Sequence, residues 1–210
     1  MNANENKWYR KALNLSVITI FFTLLEGLAS LVMGAKGETL TLFGFGLDSL
    51  IEVISGVGIF IMVRRIQKNQ TNNRSKAEIM ALRITGISLF SLSGVLLLGA
   101  IFSIIQNHRP ETTIWGIIIS LISILGMAWL VWRKTKVGKL LKSAPIIADA
   151  NCSKICIYMS VVVLLSSLIF AATGNGYIDS IGTLALAYFS FVEVKESIEK
   201  SKNLNADSCC

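Results

Sequence analysis

Long apolar runs, each about as long as a bilayer crossing, alternate with short polar segments along this chain. A spanning helix needs ~20 consecutive apolar residues. Residues 84–105 and 113–132 carry no charge at all, whereas 13–34, 39–63, 144–171 and 177–192 are apolar with isolated polar residues. The pattern predicts an all-α polytopic membrane protein with six transmembrane helices. It divides into a six-helix transmembrane domain over 1–200 and a flexible cytoplasmic tail over 201–210. Pro110 and Pro145, the only prolines, both fall at predicted helix edges, where proline is tolerated. Glycines inside the runs point to close helix packing.

Composition sharpens this. The 210 residues are 53% hydrophobic and 16% charged, too apolar for an ordinary soluble domain, and no soluble domain is expected after 192. Lys7, Arg10 and Lys11 precede the first run in signal-peptide order. That run is longer than a usual h-region, contains Glu26 and lacks a convincing cleavage site, so it is expected to be retained.

The basic residues set the orientation. Seventeen of the 20 lysines and arginines fall before the first run, between the second and third, between the fourth and fifth, or after the sixth. Only Lys36 and Arg109 fall on the opposite side, and Lys154 lies within a run. Both termini are therefore expected in the cytoplasm. The net charge of +7 follows from this basic rim and calls for no nucleic-acid partner. Segment 64–81 reads as a polar inner loop, and 134–143 as a short amphipathic surface helix.

Two polar pairs interrupt the apolar pattern. Asp48 and Glu52 are four residues apart in the second run, and Cys152 and Cys156 four apart in the fifth. Residues at i and i+4 share one face of a helix. An ionisable group at the bilayer centre costs at least ~2.5 kcal/mol on insertion scales. The two runs are antiparallel, and at 1.5 Å rise per residue both pairs land near mid-membrane. Two carboxylates facing two thiols would make a four-ligand cation site. Oxygen with sulfur suits zinc or a softer ion such as cadmium, and argues against magnesium and calcium. Burial disfavours the charged forms of such groups, so the empty site is expected to hold protons and release them to an entering metal.

Other readings stand beside this one. Buried thiols are often small apolar packing, and Cys152 with Cys156 is also conceivable as a redox pair, although their directions on one helix suit bridging poorly. Lys154 points away from the cysteine face. It is expected to pair with Glu26, the alternative being a built-in counter-charge for the site. Asp149 falls near the inner start of the fifth run, beside the helix N-terminus or the ion entrance. Asp179, at the outer start of the sixth run, is expected to be interfacial or capping. His108 reads as a surface residue. Cys209 and Cys210 have three open readings: metal collection, acylation or no role.

Three segments resemble a known family. Residues 41–52 (TLFGFGLDSLIE) are similar to the second-span motif of cation diffusion facilitators, in which an aspartate or histidine precedes an aspartate by four residues. Residues 148–156 (ADANCSKIC) resemble the fifth-span motif, an Ala-Asp segment followed by a histidine and an aspartate at the same spacing. Residues 177–182 (YIDSIG) look like the start of the sixth span. The resemblance covers all six runs. It implies a homodimer that moves zinc or a related divalent cation out of the cytoplasm in exchange for protons, with no other cofactor. Glu52 stands where the family has aspartate, and Cys152 and Cys156 where it has histidine and aspartate. Preference is therefore expected to lean toward softer ions. The family's usual cytoplasmic metal-binding domain is expected to be missing, as in short six-helix relatives.

The leading expectation is a metal-ion antiporter of an inner (plasma) membrane, with a bacterial host expected. The alternative is a non-transporting metal sensor or accessory subunit. Enzyme readings fare poorly. The runs contain no phosphate-binding glycine loop, no nucleophile elbow and no histidine to act as general base.

Overall fold

The computed structural model describes residues 3–37, 39–67, 76–106, 113–141 and 144–206. These form six helices: α1 (Ala3–Ala35), α2 (Leu40–Gln67), α3 (Lys76–Gln106), α4 (Ile114–Leu140), α5 (Ala144–Thr173) and α6 (Tyr177–Ala206). His108, Cys209 and Cys210 lie outside the described residues, as do the side chains of Asp149 and Cys152. Lys7–Ala35, Leu40–Gly58, Ile114–Leu140 and Ser153–Thr173 are long and apolar enough to cross a membrane, and α3 and α6 contribute the shorter apolar stretches Phe90–Ile105 and Tyr177–Val192. The chain is an all-helical, multi-pass membrane protein.

Helix ends depart from expectation on the cytoplasmic side. α3 begins at Lys76 rather than 84, and α6 runs on to Ala206. α4 continues to Leu140, so the separate surface helix expected over 134–143 does not exist. The reason is local. Helical backbone bonds are satisfied within the helix, and Lys, Glu, Leu and Ala are good helix formers, so leaving the hydrocarbon does not end a helix.

The helices pack as three antiparallel pairs, α1 with α2, α4 with α5 and α3 with α6, and α2 also touches α3, α5 and α6. Glycines set the α1–α2 distance. A Cβ on Gly27 would lie 3.2 Å from both the Gly46 carbonyl oxygen and Ser49 Cβ, and one on Gly46 would lie 2.8 Å from the Leu31 nitrogen. Gly34 meets Phe43, and Gly56 meets Ile20, in the same antiparallel register. Small residues let two backbones approach in a bilayer, where no hydrophobic force draws them together.

Burial is inverted relative to a soluble protein. Phe21, Phe90, Leu98, Phe102, Leu125 and Ile105 are exposed, while Ser30, Ser120, Ser153, Ser160 and Thr183 are fully buried. Lipid solvates the first set. Many of the second bond back to their own helix, as Thr19 Oγ1 does to the Leu15 carbonyl at 2.9 Å and Ser160 Oγ to the Cys156 carbonyl at 2.7 Å. At the cytoplasmic end Lys11 lies 4.1 Å from the Trp8 ring centroid, and Arg133 lies over Trp129 and Trp132. Such aromatic–basic pairs mark a membrane–water interface.

The outer ends of α2, α5 and α6 are tied together. Asp179, 1% exposed, spans the N-terminus of α2: Leu40 N–H donates to Oδ2 at 2.8 Å and Thr41 N–H to Oδ1 at 3.0 Å. Thr41 Oγ1 donates to the Asp179 carbonyl at 2.7 Å. Asp179 is thus a cap, but for α2 rather than for its own helix. Orphan amides at a helix start favour a carboxylate there. Gly182 completes the joint, since a Cβ there would sit 2.8 Å from Thr41 Oγ1 and 2.7 Å from Ser166 Oγ.

Candidate functional site

Below this outer joint α2 carries Asp48 inward. The outer half of the helix is packed on most sides, with Leu42, Phe45, Asp48 and Ser49 all buried. Beyond Ser49 no described residue of α2 is fully buried, and Glu52 is half-buried. The two carboxylates therefore sit where α2 passes from enclosed to less covered surroundings.

A third carboxylate faces them. In the α1–α2 register Ile20 meets Gly56 and Gly34 meets Phe43, which puts Glu26 level with Leu50, between Asp48 and Glu52. Glu26 is buried, and electrostatic coupling links it to both Asp48 and Glu52. Neither Glu26 oxygen has a hydrogen-bond partner, nor does Asp48 Oδ1. Ser123 of α4 turns its hydroxyl toward Glu26 without forming a full hydrogen bond. That hydroxyl instead pairs with Ser160 Oγ of α5 at 2.6 Å. A buried polar group without a partner costs about 1–3 kcal/mol, and in native proteins such groups call for an explanation. Orphaned carboxylate oxygens fit a cation or a proton as the missing partner.

Cys156 lies on the adjacent stretch of α5, one turn inward of Ser160, and is 4% exposed. Its neighbourhood is apolar, shared with Met127 and Leu130 of α4 and with Ala12 and Leu15 of α1. The helix registers place it within about one turn (~5 Å) of the Glu52 level, and the backbone of Cys152 a further turn inward. Among the described residues no three acidic, thiol or imidazole side chains converge tightly enough to hold an ion. Asp48, Glu52 and Glu26 thus lie near one depth without closing around a common point, Cys156 lies within about a turn of that depth on α5, and Cys152 contributes only a backbone position.

Residues 16–202 match the family model of the cation efflux transmembrane domain. The chain belongs to the cation efflux family. It is also 28% identical over 188 residues to "Transmembrane protein 163" of Xenopus laevis, an alignment spanning 88% of this chain and 66% of that protein. Just under two thirds of that relative's length is therefore represented here.

Three placements in this cation efflux protein differ from sequence reasoning. The expected Glu26–Lys154 pair does not form: Lys154 is exposed, and the Glu26 oxygens lack partners. Residue 154 follows the fully buried Ser153 by one position, and a 100° step turns it off the interior face. Lys134, expected on a short amphipathic helix at the inner surface, is instead 2% exposed inside the bundle and donates to Ser153 Oγ at 3.0 Å. The continuation of α4 past Trp132 carries it there. Glu26 itself joins the α2 carboxylates. Its signal in the sequence was a buried polar stripe, Ser16, Thr19, Thr23, Glu26 and Ser30, recurring at three- and four-residue steps.

Proposed function

We propose that this chain exports a divalent transition-metal cation, zinc-like or softer such as cadmium, from the cytoplasm in exchange for protons, and that it works as a homodimer. Asp48, Glu52, Cys156 and Cys152 are the proposed ligands, in a mixed oxygen–sulfur set. The observation that carries the reading is Asp48 Oδ1, left without a hydrogen-bond partner on a residue 4% exposed inside a family member of this kind. A structural acid would have found a partner.

The exchange follows from charge. Two carboxylates and two thiolates cannot all stay ionised and empty in low dielectric. Protons occupy the vacant site, and the metal displaces them. Coverage supports entry from the inside. The Asp179 joint closes the outer end of α2, while the helix is less covered from Glu52 inward.

Metal uptake into proteoliposomes, screened across zinc, cadmium, cobalt and manganese, tests the proposal. Flux with the unaltered chain, lost in Asp48→Ala and reduced in Cys156→Ala, is the expected result. Binding without flux would instead identify a sensor or accessory subunit. Cross-linking in the membrane should capture a dimer.

A further inference from the structure

We infer that Glu26 of α1 is a third carboxylate of the cation seat, and that with Asp48 and Glu52 it forms an oxygen-rich half suited to zinc- and manganese-like ions. The inference rests on the proposal that a divalent cation binds at α2. It adds a helix, a ligand and a chemical class to that site.

Burial and lack of partners come first. Glu26 is 8% exposed, and neither oxygen has a hydrogen bond. The cation that sequence pairs with it, Lys154, is exposed. The one hydroxyl turned toward it, Ser123 Oγ, is held at 2.6 Å by Ser160 Oγ. A carboxylate kept for structure would have neither arrangement. Asp48 Oδ1 is the other carboxylate oxygen left without a partner here, and Asp48 and Glu26 interact electrostatically.

Register supplies the geometry. The α1–α2 contact is built on Gly27 and Gly46, where the Gly27 and Gly46 backbones approach directly and the Leu50 and Leu31 side chains pack at their edges. Glu26 is the residue next to Gly27 and lies level with the gap between Asp48 and Glu52. Three ionised carboxylates at one depth would repel one another, and one divalent cation offsets that repulsion. Among the described residues no ion-holding trio is closed. On this proposal the entering ion draws the three carboxylates together.

Chemistry then sorts the ions. Carboxylate oxygens favour zinc- and manganese-like ions, and thiolates favour cadmium. Loss of Glu26 should therefore weaken the harder ions more than the soft one.

The test is calorimetric titration of the full chain in lipid nanodiscs with zinc, manganese and cadmium, for the unaltered chain, Glu26→Gln, Glu26→Asp and Asp48→Asn. Glu26→Gln should weaken zinc and manganese by about tenfold or more and cadmium by less than about threefold. Glu26→Asp, with the charge kept and the reach shortened, should fall between. Without metal, Glu26→Gln should melt no lower than the unaltered chain, because the amide is neutral and the same size as a protonated carboxyl, and metal should raise its melting temperature less. Unchanged zinc and manganese affinity in Glu26→Gln, with binding lost in Asp48→Asn, would overturn the role of Glu26 and leave the α2 site standing. No binding of any of the three ions by the unaltered chain would overturn both.

Discussion

Two buried carboxylate settings in this protein have opposite accounts. Asp179 at the outer end spends both oxygens on the amides of Leu40 and Thr41. Glu26 and Asp48, a few turns inward, leave three oxygens with no donor. All three residues are less than 9% exposed, at 1%, 8% and 4%. Burial alone does not separate a structural acid from a functional one; satisfaction does. The Asp179 joint fixes where α2 begins and hence the depth of Asp48. The Glu26–Asp48 setting holds unmet electrostatic demand against a rigid glycine-packed wall.

The contrast can be broken by substitution. The largest effect is expected for Asp48→Asn: metal flux in proteoliposomes falls to background while the melting temperature holds or rises. Next comes Asp179→Ala, which strands two buried amides and should cost about 3 kcal/mol of stability. Detergent-melt curves would show it, and flux per folded molecule should survive. If Asp179→Ala abolished flux without lowering the melt, the structural reading of Asp179 would be wrong.

Acidity sharpens the same comparison. Protons and metal compete at the proposed site, so zinc affinity should rise with pH, by about tenfold per unit for each proton released. Titration at several pH values in two buffers of different ionisation enthalpy counts those protons. A flat profile would remove proton exchange from the account. The smallest effect is expected for Cys156→Ser. The volume change is slight and a helical serine can bond the carbonyl four residues back, so stability should fall by about 1 kcal/mol. The ratio of cadmium to zinc affinity should fall several-fold, which competition titration would read. An unchanged ratio would reduce Cys156 to packing among Met127 and Leu130.

Much of the fold was legible because a membrane demands so little of a sequence. Unbroken apolar length marked the six helices, and the lysine and arginine asymmetry is the basis for expecting the termini in the cytoplasm. The cytoplasmic helix ends were not legible, because hydropathy marks the edge of the lipid and not the end of hydrogen bonding. Lys134 shows this: a charge after Trp132 reads as the start of a separate surface helix, yet α4 carries it into the bundle beside Ser153. For the site, spacing alone paired Asp48 with Glu52. Glu26 was visible as an acid in a span, but its neighbours depend on the α1–α2 register, which Gly27, Gly34 and Gly46 set through backbone contact. A pairing with Lys154 satisfied charge on paper. The angular step from Ser153 to Lys154 prevents it.

The central claim is that the carboxylates left without donors are where the cation sits. A hydrophobic carbodiimide modifies buried protonated carboxyls, and mass spectrometry of the membrane-embedded chain can map the adducts with and without zinc. Labelling at Glu26, Asp48 or Glu52 that zinc suppresses, with Asp179 unmodified in both conditions, is the result expected here. Equal labelling with and without zinc, or adducts confined to Asp179, would contradict it.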